Sequence, residues 1–208
     1  IINLSAKVNQ PQRNAERVAM LDHVTGRRFE FGTGRGAGEH EMQTFDLHTS
    51  ETKEMWDEAA HEIVRMWEQR DYSFEGKFFR VPGPHNILPK PYGVGHPPIW
   101  VGCGNPGTFT KAGNLGIGAI AFNFEPVFNL KGRIDAYKKG VADCTEPLGE
   151  FINDNVMMTN AVVCLRDRNR AREIWALPSV SLDPPAAPGP PAEELYPDYA
   201  AAARKLSE

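Results

Sequence analysis

Residues 28–39 read Arg-Phe-Glu-Phe-Gly-Thr-Gly-Arg-Gly-Ala-Gly-Glu, with glycines at 32, 34, 36 and 38. This stretch constrains the fold more than any other. Phe29 and Phe31 alternate with Glu30, the pattern of a short strand. The glycines that follow lack Cβ atoms, so the backbone turns tightly there and exposes its N–H groups. Arg35, in their midst, adds a planar and permanently charged fork that matches a phosphate. Two readings follow: a phosphate-bearing cofactor held just past a strand end, or a tight surface turn with a solvated arginine. A Walker loop needs GxxxxGK[ST], which is absent. Gly32 to Ala37 matches the looser dinucleotide pattern GxGxxA, but that pattern must open directly into a helix. Residues 38–49 are polar and poorly periodic, and no helix is expected before about Ser50.

The flanking sequence alternates between strands and helices. Ile1 to Leu4 reads as the end of a strand. A helix follows Pro11 over Gln12 to Leu21, with Ala15, Val18, Ala19 and Leu21 on its apolar side and Gly26 as the break. Ser50 is positioned to cap the next helix, with Glu51 in its first turn. That helix runs to Glu68, and Met55, Ala59, Ile63, Met66 and Trp67 form a core face. His61-Glu62-x-x-Arg65 falls one residue short of the zinc motif HExxH, since arginine does not ligate a metal. No metal site is assigned.

Residues 70–98 form an excursion rich in aromatics and proline. Tyr72, Phe74, Phe78 and Phe79 surround Glu75-Gly76-Lys77, which predicts a hairpin. Prolines at 82, 84, 89 and 91 exclude a helix beyond it. Such an excursion either shapes an active-site mouth or packs over the body of the fold. Ile99 to Val101 is an apolar strand, and Gly102 to Gly107 is a second small-residue loop before a helix from about Thr108. Further elements are a strand over Gly116–Phe122, a helix near Val127–Lys139, a strand over Val156–Leu165 and a helix over Asp167–Leu177. The alternation predicts parallel strands with crossover helices, an α/β fold. Residues 1–177 are read as one domain and 178–208 as a proline-rich arm with a short C-terminal helix.

Composition limits the partners. The net charge of −4 offers no basic surface for nucleic acid. Apolar runs of membrane-spanning length are absent. Cys103, Cys144 and Cys164 are odd in number and widely spaced, so they read as reduced thiols in a cytoplasmic protein. Asn3-Leu4-Ser5 is formally a glycosylation sequon, discounted because nothing else suggests secretion.

The chain resembles the luciferase-like flavin-dependent monooxygenases. The likeness is carried by Ala15-Glu16-Arg17-Val18-Ala19-Met20-Leu21-Asp22 and by Thr25-Gly26-Arg27-Arg28 through Gly36. Glu39, Phe74 to Phe79, Pro97 to Val101 and Ala112 to Gly116 follow in family order. The resemblance implies a TIM barrel, here incomplete at about five strands, with roughly a hundred upstream residues expected in a whole barrel. It assigns cofactor binding to Gly34, Arg35, Gly36, Ala37, Cys103 and Gly104, with Arg35 and the backbone of Gly36 and Ala37 at the flavin phosphate. Gly34 stands where bacterial luciferase has a reactive cysteine. Cys103 and Gly104 stand where it has Glu and Ser; a packed strand-end cysteine is the other reading of Cys103. The implied cofactor is reduced FMN, with dioxygen oxidising a small organic substrate and a flavin reductase as possible partner. A homo- or hetero-oligomer is also implied. A deazaflavin F420-dependent oxidoreductase and a non-catalytic accessory subunit are the alternatives. No catalytic residue is assigned: His40, His48, His85 and His96 fall on loops without a defined role.

Overall fold

The computed structural model describes residues 1–36, 38–93, 95–123, 130–160 and 163–176. The chain divides into a unit of residues 1–161 and a second unit that begins at Val162.

The first unit is built on a five-stranded parallel sheet. In chain order its strands are β1 (Ile2–Asn3), β2 (Phe31–Gly34), β5 (Ile99–Gly102), β6 (Gly118–Asn123) and β7 (Val156–Asn160), and they lie side by side in that order. A separate antiparallel hairpin joins β3 (Tyr72–Glu75) to β4 (Arg80–His85). The helices are α1 (Pro11–Thr25), α2 (Glu39–Thr44), α3 (Thr52–Glu68), α4 (Pro106–Asn114) and α5 (Lys131–Asp143). In the second unit, α6 (Arg168–Ala176) starts where the Asp167 carboxylate accepts the N–H groups of Asn169 and Arg170.

Local chemistry explains most boundaries. Proline at the first position of α1 lacks an N–H that would have no intrahelical acceptor. Gly26 ends the helix in the left-handed region at φ 58°. The helix runs four residues past the expected Leu21, and its buried Asp22 accepts the Tyr92 N–H at 2.9 Å. On α3, Met55, Ala59, Ile63, Met66 and Trp67 are all buried, as their spacing predicts. Ser50 does not cap α3. Glu51 occupies the cap position without a side-chain bond, and Thr52 Oγ1 donates instead to Thr49 O.

Several strand and helix limits differ from the sequence pattern. The pivot strand is Phe31–Gly34, not Phe29–Phe31, so Gly32 and Gly34 belong to the ladder. A helix, α2, does follow the glycine-rich loop, although it was not expected before Ser50. Its one buried apolar residue, Met42, packs with Leu47 and Met55, so tertiary contact stabilises what periodicity did not signal. Helix α4 begins earlier than Thr108, with Pro106 in its first turn and Asn105 as its cap. Helix α5 begins at Lys131 and continues to Asp143; the expected start near Val127 lies outside the described residues. Strand β7 is described over Val156–Asn160, and Val163 to Leu165 are not strand, so the expected end at Leu165 is not reached. The arm at 178–208 also lies outside the described residues.

The sheet's two faces differ. Phe31, Thr33, Ile99, Val101, Ala119 and Ala121 are buried in the core with residues of α1, α3 and α4. The alternate positions, Gly32, Gly34, Trp100, Gly102, Gly118 and Ile120, occupy the opposite face. There the Trp100 ring covers Gly118 so closely that a Cβ would collide with it.

The hairpin is tied to α3, because the Glu58 carboxylate accepts the Lys77 and Phe78 N–H groups at 2.7 and 3.0 Å. Farther along the excursion, Lys90 Nζ donates to Met66 O and Gln69 O, both at 2.6 Å, and so caps the C-terminus of α3. His96 is stacked between Trp67 and Phe151, with the Glu150 N–H donated to its Nε2.

Candidate cofactor site

A cavity of about 280 Å³ opens at the C-terminal ends of β2 and β5. Ligands of parallel α/β sheets bind at this end of the strands. Arg35 and Gly102 line it from the strand ends, Lys53 and Trp56 from α3, and Asn105, Gly107, Thr108 and Lys111 from the loop and helix after β5.

The cations differ in their surroundings. Arg35 is half-buried and its Nη1 donates to Thr52 Oγ1 at 3.3 Å. Neither Arg35 nor Lys53 has an ion-pair partner among the described residues. Lys111 is compensated: its Nζ lies 2.7 Å from an Asp57 carboxylate oxygen and 5.2 Å from the centre of the Trp56 ring. Two helix N-termini meet here. Asn105 caps α4 by accepting the Thr108 N–H at 3.1 Å on its side chain and the Phe109 N–H at 3.4 Å on its carbonyl; Pro106 has no N–H, so the Gly107 N–H is the one donor of that first turn without an intrahelical acceptor. Thr52 and Lys53 stand in the first turn of α3. A lysine opposes the helix dipole there, and an anion in the cavity offsets that repulsion.

Beside the cavity the sheet carries a bare ledge. Asn3 pairs with Gly34, and Gly102 pairs with Ile120. Extending the β2–β5 register puts Gly34 beside Gly102. A Cβ at Gly34 would meet only Ile1 Cγ2, at 3.5 Å, and one at Gly102 only the Thr33 carbonyl, at 3.7 Å. Packing therefore does not demand glycine at either position. Their missing side chains leave room for a flat ring next to a cluster that suits its phosphate, so the residues present fit a flavin mononucleotide.

The residues named from sequence divide. Gly34 lies on the ledge and Arg35 lines the cavity. Gly36 turns the loop at φ 81°, where only glycine is unstrained, and Ala37 lies outside the described residues. Cys103 and Gly104 do not line the cavity. The Cys103 thiol is buried, donates to Val101 O at 3.5 Å, and is pushed up to about 12 by burial. Lys53, Trp56 and Lys111 escaped sequence reasoning. The signal for Lys53 was its charge at the wrong end of a helix. No histidine lines the cavity. The Glu62 carboxylate of the near-zinc motif is engaged by Arg65, at 2.8 Å, and by the Tyr72 hydroxyl, at 2.8 Å. Burial and that carboxylate raise the Tyr72 phenol above its ordinary range.

A family model for luciferase-like monooxygenase matches residues 4–207. The chain belongs to that family. Among curated relatives, an uncharacterized protein, y4wF, from Sinorhizobium fredii is 29% identical over 99 residues, 48% of this chain and 29% of the relative. Among solved structures, monooxygenase RslO1 from Streptomyces bottropensis superposes with a TM-score of 0.68 at 23% identity, over 82% of this chain and 51% of that one. The oxygenating constituent of 3,6-diketocamphane monooxygenase from Pseudomonas putida, solved with FMN, gives 0.66 at 16% identity, over 83% and 50%. An F420-dependent tetrahydromethanopterin reductase from Methanopyrus kandleri gives 0.63 at 17% identity, over 83% and 52%. These likenesses show the fold, a part of a luciferase-like barrel, and the chain spans about half the length of these solved relatives. Among the described residues, no helix is long and apolar enough to cross a membrane.

Proposed function

We propose that this chain carries the FMN-holding part of a flavin-dependent monooxygenase that oxidises a small organic substrate with dioxygen. One observation carries the choice of cofactor. Of the three cations at the cavity, Lys111 is neutralised by Asp57, which leaves Arg35 and Lys53 without an ion-pair partner among the described residues. Two positive charges and a helix N-terminus complement the dianion of a terminal phosphomonoester, as in FMN. The phosphate of F420 is a diester and carries a single charge, so at the phosphate itself it matches a pair of cations less well than a monoester dianion does.

When bound, reduced FMN supplies the electrons that activate dioxygen. The residues of this chain hold and orient. Arg35 and Lys53 grip the phosphate, Trp56 walls the cavity, and the Gly34–Gly102 ledge accepts the ring face. The apolar strand face beyond, with Trp100 and Ile120, excludes water. A reductase that supplies reduced FMN, assembly as an oligomer and a cytoplasmic setting complete the proposal.

The test is titration of the purified chain with FMN and with riboflavin, alongside Arg35→Ala. FMN binding at least tenfold tighter than riboflavin binding, with the preference lost in the variant, supports the reading. Equal affinities would sink it. A deazaflavin spectrum in the purified protein supports the F420 alternative, and no binding of either cofactor supports the accessory-subunit alternative.

A further inference from the structure

The phosphate anchor is only as well placed as the peptide that carries it. Arg35 lies in a loop, and its guanidinium makes one hydrogen bond among the described residues. Three consecutive residues, Asn3 at the end of β1 and the two that follow it, hold that loop. The Leu4 N–H donates to Gly34 O at 2.8 Å. The Ser5 hydroxyl donates to Arg35 O at 3.2 Å. The Asn3 amide packs against Gly36 so closely that a Cβ there would stand 2.6 Å from Asn3 Nδ2.

The tripeptide is itself rigid. Ser5 is fully buried, and its N–H donates to Asn3 Oδ1 at 2.9 Å. The N–H groups of Val8 and Asn9 both reach Ser5 O, at 2.9 and 3.0 Å. The same three residues read as a glycosylation sequon in the sequence. The Asn3 amide nitrogen is buried, so the structure puts them to a different use.

We propose that Ser5 is a positioning residue for Arg35: its hydroxyl fixes the Arg35 carbonyl and so aims the guanidinium at the phosphate. Neither Asn3 nor Ser5 lines the cavity, so the effect passes through Arg35 and not through contact with ligand. This inference rests on the reading of Arg35 as a phosphate anchor.

The experiment measures FMN and riboflavin dissociation constants for the full chain and for Ser5→Ala, Ser5→Thr, Arg35→Ala and the Ser5→Ala/Arg35→Ala double variant. Thermal melts verify that each is folded. Ser5→Ala is expected to weaken FMN by about fivefold, the loss of one hydrogen bond's worth of positioning, with riboflavin unchanged. Ser5→Thr keeps the hydroxyl and retains the preference for FMN. In the Arg35→Ala background, Ser5→Ala is expected to have no further effect. If Ser5→Ala leaves the FMN preference intact while Arg35→Ala abolishes it, the positioning role is wrong and the phosphate site stands. The same holds if Ser5→Ala weakens FMN equally in both backgrounds. If Arg35→Ala leaves the preference intact, the phosphate site itself is wrong.

Discussion

The Trp56 indole N–H donates to Thr33 Oγ1 at 3.1 Å, and the Thr33 hydroxyl donates in turn to Trp100 O at 2.6 Å. A cavity wall on α3 is thereby fixed to the two central strands that end beneath the cavity. Thr33 is fully buried, so its loss is not compensated by water. Thr33→Val keeps the shape and removes the hydroxyl. It is expected to destabilise the chain by about 1–3 kcal/mol, because the Trp56 N–H and the Trp100 carbonyl lose partners. Thr33→Ser, which keeps the oxygen, is expected to lose less. Urea denaturation of both variants checks the order, and equal losses would mean that the relay contributes nothing.

The three cations should separate by their partners. Lys53 is exposed and has no ion-pair partner among the described residues, so Lys53→Ala is expected to weaken FMN binding by about 1 kcal/mol at low salt and by less as salt rises. Lys111 is already answered by Asp57 at 2.7 Å, and Lys111→Ala is expected to matter less. Asp57→Asn removes that answer and is expected to tighten FMN modestly, by a few tenths of a kcal/mol to about 1 kcal/mol. Fluorescence titrations at low and high salt measure all three. An Asp57→Asn variant that binds FMN more weakly would contradict this division of charge.

Alkaline stability follows from buried groups, the raised Tyr72 phenol and two more. Burial lifts the Cys103 thiol from its ordinary 9.0 to about 12, and the Tyr137 phenol from 10.0 to about 12. In the unfolded chain both groups ionise at their ordinary values, while in the folded chain they stay protonated. The unfolded state therefore binds fewer protons over that window, and stability falls as pH rises from about 9 towards 12. The urea midpoint should be flat below about pH 9 and decline above it, and Cys103→Ala should make the decline shallower. At neutral pH a thiol reagent should label the exposed Cys164 long before the buried Cys103. Early labelling of Cys103 would contradict its burial.

What was legible in the sequence was what side-chain period encodes. The spacing from Met55 to Trp67 located α3 and its buried face, and Gly26 marked the end of α1. Glycines carry no such period. Gly32 and Gly34 therefore read as loop, although the ladder to β5 begins only at Phe31, whose N–H donates to Pro98 O. Helix α2 was hidden for a related reason, since Met42 is the single apolar residue it buries. Arg35 stood out because its neighbours are small. Lys53, Trp56 and Lys111 reach the same cavity from helices after two different strands, a meeting set by crossover geometry and not by proximity in sequence. The excursion at 70–98 was open between two roles. None of its described residues lines the Arg35 cavity, and Lys90 and Tyr92 tie it to α3 and α1.

The glycines on the sheet face opposite the core should divide into those the fold needs and those a ligand needs. At Gly118 a Cβ would collide with the Trp100 ring and would stand 2.7 Å from Asn153 Nδ2. Gly118→Ala must therefore displace a large ring, and is expected to cost about 1–3 kcal/mol of stability. Gly34 and Gly102 are different: neither has a positive φ, and their nearest atoms lie at 3.5 and 3.7 Å. Gly34→Leu is expected to leave stability within about 1 kcal/mol of the parent, since a side chain in a strand also limits the freedom of the unfolded chain. The same leucine stands on the ledge beside Gly102. It should therefore abolish binding of FMN and of riboflavin alike, because it blocks the ring and not the phosphate. That pattern is the opposite of Arg35→Ala, which should spare riboflavin. Thermal melts paired with titrations of both flavins check it. A Gly34→Leu chain that melts normally and still binds riboflavin would mean that the ring lies elsewhere than on the Gly34–Gly102 ledge.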